Sequence, residues 1–450
     1  MNTPSQEPAR PYGRTPGFKF FMIMGLAILM CLPLFMISLA VAERQVRAGE
    51  ATADIESSWG RAQNIAGILL FVPYEASASE TFGAGTISTL RRNTGVLLPA
   101  RAQYSAAVRT ETRSRGIYDV TVYTTDLTIV ADFDQSDIAE LAPAGATVLW
   151  NEAVAVVGLT DVRGLQQNPT LSVGGMNVPF LPGPGPSAPD AKFASIHAPL
   201  SLVSAPDGLA LQTTLTLRGS SELAFAPVGK DTVARVQSAW PHPSFFGAFL
   251  PDQRQVGPTG FDVSWNVPYL ARGFGQVFAG ATALTTISET QFGVRFYRPI
   301  DFYQLVARSL KYAVLFVGLA FLSFFVVELL TGARLHAAQY ALIGAAQVLF
   351  YLLLLSIAEH LGFETAYAIG ATATVGLTTA YAVSAFGSRR HAGILLAVLS
   401  VQYAALYSLL QVEDYALLLG SVLLFAVLAV VMYLTRNLNW YRLAPLPGEA

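Results

Sequence analysis

The run Glu359-His360-Leu361-Gly362-Phe363-Glu364 holds the residue types a metal ion takes as ligands. His360 and Glu364 stand four apart, a spacing that could put two ligands on one helix face. Against this, Gly362 between them favours a turn, and carboxylates at the end of an apolar run are simply hydrated. Glu328 is the next candidate. It lies inside an apolar run, where an ionisable group is a functional hypothesis by default. The alternative is that it snorkels toward the interface and Arg334. Gln347 and Gln402 fall in the middle of such runs and suit hydrogen bonds between helices better than a pathway. Elsewhere, Trp240-Pro241-His242-Pro243-Ser244-Phe245-Phe246 sets a histidine between two prolines. It could contact a ligand or respond to pH, or be part of a packed turn. Trp240 and Phe245 are expected in a core and His242 at the surface.

No enzyme signature accompanies these residues. The chain has no Gly-x-Ser-x-Gly elbow, no P-loop and no His-Glu-x-x-His, and Gly273-Phe274-Gly275 lacks the third glycine of a dinucleotide fingerprint. The single cysteine, Cys31, makes no intrachain disulfide and no cysteine-based zinc site. We therefore assign no catalytic, cofactor-binding or metal residue. A net charge of -2 gives no electrostatic case for nucleic acid.

The elements that carry these residues follow from hydropathy. The 450 residues are 53% hydrophobic and only 13% charged, against about 25% charged in a soluble domain. Much of the chain must face lipid. A Pro- and Gly-rich tail, 1–19, precedes an uncharged run, 20–42, long enough to cross a hydrocarbon core of roughly 30 Å. Pro33 is expected to kink it. Ala40-Val41-Ala42 fits a signal-peptidase site, but the run exceeds the usual h-region, which favours an uncleaved anchor. Five further runs, at about 312–331, 340–358, 366–386, 392–411 and 415–435, form a second membrane region, 309–435, before a short tail, 436–450.

Residues 43–308 read as a water-exposed domain. Glu43 to Gln63 could extend the first helix as a polar stalk. Leu69 to Tyr74 is a buried-strand candidate. Tyr118, Val120 and Val122 alternate on one face, and Leu127, Ile129, Ala131 and Phe133 alternate after a polar break. Leu209 to Leu217 also alternates with period two. Pro182 to Pro189 cannot lie inside a sheet and is expected to separate two halves of the domain. The expected fold is a membrane protein of mixed α and β type. It has six transmembrane helices, one plus five, with a large periplasmic, β-rich, sandwich-like domain inserted after the first.

Loop charge orients it. With the N-terminus cytoplasmic, the inner segments carry Arg10, Arg14, Lys19, Arg334, Arg389, Arg390, Arg436 and Arg442. The outer turns carry Glu359, His360, Glu364, Glu413 and Asp414, with no Lys or Arg. That is the positive-inside pattern, with both termini cytoplasmic. Arg44, Arg47, Arg308 and Lys311 run against it but flank a long translocated domain, where the rule is weak. Tyr312, Tyr340, Trp440 and Tyr441 are expected to anchor at the interface. In the fourth span Ala366, Gly370, Thr374 and Thr378 make a small-residue stripe, suited to packing or to a homo-oligomer interface.

The ordered run WPHPSFFGAFLPDQRQV, Trp240 to Val256, with Gly260-Phe261 and Trp265, closely resembles the CreD family of bacterial inner-membrane proteins. The resemblance continues at Asp301-Phe302-Tyr303, Arg308, Lys311-Tyr312-Ala313, Phe324-Phe325, Glu328, Gln339-Tyr340, Phe350 to Leu355 and Glu359-His360. It ends at Ala416 to Gly420, Thr435-Arg436-Asn437 and Trp440-Tyr441, and touches Ala131-Asp132-Phe133 and Asp161-Arg163-Gly164 more weakly. It spans nearly the whole chain after the tail. One departure is Ala337 after His336, where the family has proline, which should loosen that turn. The resemblance implies an inner-membrane protein of Gram-negative bacteria tied to envelope integrity, under an envelope-responsive two-component system, with links to colicin tolerance and β-lactam response. It implies no catalytic residues. The expected function is non-enzymatic envelope maintenance, with the lipid bilayer and periplasmic or envelope components as partners. A transporter or transporter subunit is the alternative, disfavoured because the spans lack charged midplane residues and an obvious internal repeat.

Overall fold

The computed structural model describes residues 16–82, 85–188, 193–280, 287, 289–296, 302–333, 335–412 and 415–436. Arg10, Arg14, Pro189, Asp301, Arg334, Glu413, Asp414, Asn437, Trp440, Tyr441 and Arg442 lie outside them. Two compact units emerge: one from residues 1–48 and 300–450, the other from residues 49–299.

The first unit is helical. Six helices among the described residues are long and apolar enough to cross a membrane. We label them α1 (Pro16–Trp59), α2 (Phe302–Thr331), α3 (Ala337–Leu361), α4 (Phe363–Phe386), α5 (Arg389–Gln411) and α6 (Ala416–Thr435). α1 runs on through Pro33 for 44 residues. It buries only a narrow stripe: Ile23, Leu34, Ile37 and Val41. α2 buries far more, including Phe316, Phe321, Phe324 and Phe325. Gly344 of α3 has no room for a side chain, since a Cβ there would meet Phe321 at 2.7 Å and the Met30 sulfur at 3.0 Å. That close approach is what a small residue permits. In α6 only Ala416 is buried, so its apolar surface suits lipid rather than protein.

One expectation about this unit is met in its packing sense, and one changes. Ala366, Gly370, Thr374 and Thr378 are all buried, and the Phe350 ring of α3 sits 3.2 Å from where a Gly370 Cβ would be. The stripe therefore packs within the chain, the first of the two uses its spacing suits. Tyr340 is fully buried, not an interfacial anchor.

The second unit is β-rich, with two sheets over one core. Gln63–Phe82 is central to the first sheet, pairing with Gly85–Leu97, Val154–Leu159 and, in parallel, Glu222–Phe225. The second sheet is built around the hairpin Arg101–Arg115/Tyr118–Phe133, flanked by Leu209–Ser220 and Asp231–Ser238. Period-two patterning explains the core: in Arg101–Arg115 residues Ala102, Tyr104, Ala106 and Val108 turn inward. Tyr104 meets Phe225 at 5.0 Å and its hydroxyl takes the Gly67 N–H at 3.0 Å, joining the sheets. Trp265 meets Phe292 at 5.5 Å in the same way.

The strands are longer than short alternating runs suggest. Tyr118–Phe133 is unbroken across Thr124 and Thr125, which pair with Arg218 and Leu217. The proline-rich segment does not divide the unit. Its flanking strands, Leu181–Pro182 and Ser195–Pro199, are neighbours in one sheet.

Candidate functional site

Two of the acidic candidates in the helical unit, Glu328 and Glu359, each meet a cation from α1. Glu328 is buried. It pairs with Lys19, accepts the Tyr340 hydroxyl at 2.8 Å and accepts the Leu335 N–H at 3.1 Å. Lys19 also donates to the Leu335 carbonyl at 2.7 Å. A buried carboxylate needs a counter-charge and satisfied lone pairs, and here three donors supply them. It does not reach outward as snorkelling would require. Glu359 pairs with Arg44 at 3.5 Å and accepts from the Tyr303 hydroxyl at 3.3 Å. Lys19 and Arg44 are 25 residues apart on one helix, or roughly 37 Å at about 1.5 Å per residue. The two clamps therefore lie about one membrane thickness apart along α1.

His360 and Glu364 do not come together as ligands. His360 closes α3, Gly362 breaks the chain at φ 78°, and Glu364 opens α4. Both side chains are exposed. Among the described residues no group of three or more metal-type ligands exists.

Between the clamps, polar side chains cross the bundle. The Tyr403 hydroxyl donates to Gln347 Oε1 at 2.9 Å, Gln402 donates to Ser323 at 3.0 Å, and the Tyr367 hydroxyl reaches the Tyr403 carbonyl at 2.7 Å. Arg308 donates to the Leu410 carbonyl at 3.2 Å, at the end of α5 where carbonyls lack helical partners. His336 caps α3. Its Nδ1 accepts the Ala338 N–H at 3.2 Å, and Gln339 accepts the His336 N–H at 2.7 Å. The turn that the missing proline should loosen is held by this reciprocal capping box.

In the β-rich unit, Asp161-Arg163-Gly164 is a structural knot. Asp161 and Gln63 exchange hydrogen bonds, Gln63 Nε2 to the Asp161 carbonyl at 2.8 Å and the Asp161 N–H to Gln63 Oε1 at 3.2 Å. The Arg163 guanidinium donates to both Asp161 carboxylate oxygens at 2.9 Å and, with the Arg163 and Arg61 N–H groups, holds that carboxyl below its usual range. A Cβ on Gly164 would fall 2.4 Å from the Arg218 carbonyl. Another knot lies within the β-rich unit, where Trp59 packs under the Arg218 guanidinium at 4.0 Å and that of Arg113 at 4.4 Å. Arg272 is buried and bonded to the Val228 carbonyl and Gln276, each at 2.5 Å. Its pKa is lowered to about 10 by burial.

Trp240 and His242 lead into an edge strand, Pro243–Gly247, where Pro243 is tolerated because one side carries no ladder. Trp240 and Phe245 are half-buried against the core, less deep than expected, and His242 is exposed. The Trp240 indole N–H donates to the His242 carbonyl at 3.1 Å. The imidazole takes no part in that bond.

The sequence identified Glu328 and Glu359 but missed the residues that complete them: Lys19, Arg44, Tyr303 and Tyr340. Lys19 directly abuts an uncharged span, and such a cation needs an acidic partner if the helix packs beside others. That signal was present.

A solved structure from Legionella pneumophila, described as a candidate nutrient-binding protein, covers 68% of this chain and 96% of its own at 8% identity. Its TM-score of 0.26 is too low to carry an argument about the fold. The Escherichia coli (strain K12) inner membrane protein CreD is 31% identical over 430 residues, spanning 94% of this chain and 93% of that relative. The family model for inner membrane protein CreD matches residues 15–441. With its six apolar helices and inserted two-sheet unit, the chain is a multi-pass inner-membrane protein and belongs to the CreD family.

Proposed function

We propose that this protein maintains the cell envelope without catalysing a reaction, with its β-rich unit in the periplasm, where it contacts an envelope component. The observation that best supports this is the use of the acidic candidates. Glu328 and Glu359 are bound to Lys19 and Arg44 of α1, so they join helices instead of offering a free acid, base or ligand. The helical bundle then serves as an anchor. The loop-charge pattern supports placing both termini in the cytoplasm and the large unit in the periplasm.

Complementation tests the reading. In a Gram-negative strain lacking its own CreD protein, the full chain should restore resistance to detergent and to a β-lactam. Replacing the β-rich unit with an inert linker should abolish rescue, although the six helices still reach the membrane. Full rescue by the helices alone would remove the proposed role of the β-rich unit.

One observation favours a transport reading. Gln347, mid-span in α3 and 4% exposed, keeps its Nε2 without a partner, and a solute could accept from it. Gln347→Leu would then abolish rescue while leaving the protein folded in the membrane. On the envelope-maintenance reading, Gln347→Leu rescues.

A further inference from the structure

A strand at the margin of a sheet leaves a row of backbone donors and acceptors unpaired, and proteins blunt such margins with proline or with very short strands. Most margins of the β-rich unit are blunted in that way. The first sheet ends at Pro243–Gly247 and Leu181–Pro182, and the second ends on one side at Met176–Pro179. All three strands contain proline. The two strands that branch from the first sheet, Val277–Ala279 and Thr147–Val148, are three and two residues long. The other margin of the second sheet differs. Gln253–Gly257 has five residues and no proline, and residues 253–256 are all exposed.

The register shows which groups are open. Gly257 pairs with Gly260 across the turn Pro258-Thr259, Gln255 with Asp262 and Gln253 with Ser264. Bonded and unbonded pairs alternate in an antiparallel ladder. The N–H and C=O groups of Gln253, Gln255 and Gly257 therefore turn toward Gly260–Pro268. The Asp252 N–H, bound to the Ser264 carbonyl at 2.9 Å, fits that phase. The backbone groups of Arg254 and Val256 point the other way, where no strand pairs with them among the described residues. Their side chains share the face of their ladder partners Val263 and Phe261, which are buried. Val256 is 50% exposed there, and Arg254 is an exposed cation with no ion pair among the described residues.

We propose that this margin takes up an extended segment of a partner protein as an added strand of the second sheet. The segment runs antiparallel to Gln253–Gly257. It sets an apolar residue beside Val256 and, two positions on, an acidic residue beside Arg254. The N–H and C=O groups of Arg254 and Val256 hold its backbone, and the side-chain pairs select it. The partner's place in the envelope rests on the envelope-maintenance reading; the docking of a strand does not. A charge at a sheet margin can also serve only to repel other chains, and the test separates the two roles.

The test uses the full chain in lipid nanodiscs and fluorescence anisotropy, with empty nanodiscs subtracted. The probe is a labelled, end-blocked peptide, Ser-Thr-Val-Thr-Glu-Thr-Ser. One control has Lys in place of Glu. Another is N-methylated at Val and Glu, which removes two donors and keeps the side chains. Saturable binding of the Glu peptide is expected, with both controls at least tenfold weaker. Arg254→Glu should reverse the preference and take the Lys peptide over the Glu peptide. Val256→Pro removes an outward N–H without touching the bonds to Gly260–Pro268, and should weaken binding at least tenfold. If Val256→Pro does not fold, the charge reversal still decides. Equal binding of the Glu and Lys peptides would overturn the proposal, as would binding by Val256→Pro that matches the parent protein. So would no saturable binding, and self-association of Arg254→Ala would then show that Arg254 only guards the margin. Such a failure leaves the complementation result standing, and failed complementation leaves the peptide binding standing.

Discussion

At the scale of single residues, the buried carboxylate poses one question: is Glu328 there to act or to hold? Its three partners point to holding, and the energetics of buried pairs make this testable. Removing one member strands the other charge, at about 3–5 kcal/mol, whereas replacing both with apolar residues of similar volume is close to neutral. Lys19→Met should therefore lower the melting temperature of the detergent-solubilised protein sharply. The double variant Lys19→Met/Glu328→Leu should recover most of that loss. Lys19 is about one-fifth exposed, so the single-variant cost is expected near the lower bound, about 3 kcal/mol. Thermal unfolding of the parent, Lys19→Met, Glu328→Leu and the double variant closes the cycle, and envelope complementation is measured beside it. A double variant that is stable but fails to complement would show that Glu328 acts as a charge. The site was half legible. Composition exposed Glu328, because an acid in an apolar run is conspicuous. In the sequence Lys19 shows only as an orienting charge, because nothing local says which distant helix it meets.

At the scale of elements, what was legible follows periodicity and what was not follows pairing. The alternation in Leu209–Ser220 fixed its inward face, and the structure buries Leu211, Thr213, Leu215 and Leu217 there. The threonines in Tyr118–Phe133 looked like a break, yet a β-strand tolerates Thr, and the ladder to Leu209–Ser220 carries the chain straight through. The proline-rich segment misled for a related reason. Proline excludes a central strand but says nothing about which strands flank the loop. The edge segment at Trp240 shows the rule working: two prolines exclude a central position, and the sheet places Pro243–Gly247 at its margin. The useful group of His242 is its carbonyl, which any residue supplies. His242→Ala should leave the melting temperature unchanged. Trp240→Ala removes a half-buried ring and its N–H bond and should cost about 2 kcal/mol, below the roughly 3–5 of a fully buried aromatic. A large loss from His242→Ala would show that the imidazole itself is bonded.

At the scale of the whole molecule, packing accounts for two of the four cations that run against the loop-charge rule. Arg44 is paired with Glu359, and Arg308 is bound to the end of α5. Both are committed to contacts at the ends of helices, so their positions follow from packing rather than from insertion. The short turns themselves alternate consistently. Glu359 and Glu364 flank the break between α3 and α4, and Arg389 and Arg390 open α5. α4 is one 24-residue helix, about 36 Å at roughly 1.5 Å per residue, long enough to put its two ends on opposite sides of the bilayer. Glu364 and Arg390 are both exposed, so a cysteine at either should be chemically accessible once a reagent reaches its side. With Cys31 replaced by alanine, Glu364→Cys should react with an impermeant thiol reagent in intact spheroplasts. Arg390→Cys should react only after the membrane is permeabilised. Reaction of both in intact cells would mean that α4 does not cross. The reverse pattern would invert the orientation and place the β-rich unit in the cytoplasm, which would remove the basis for contact with an envelope component.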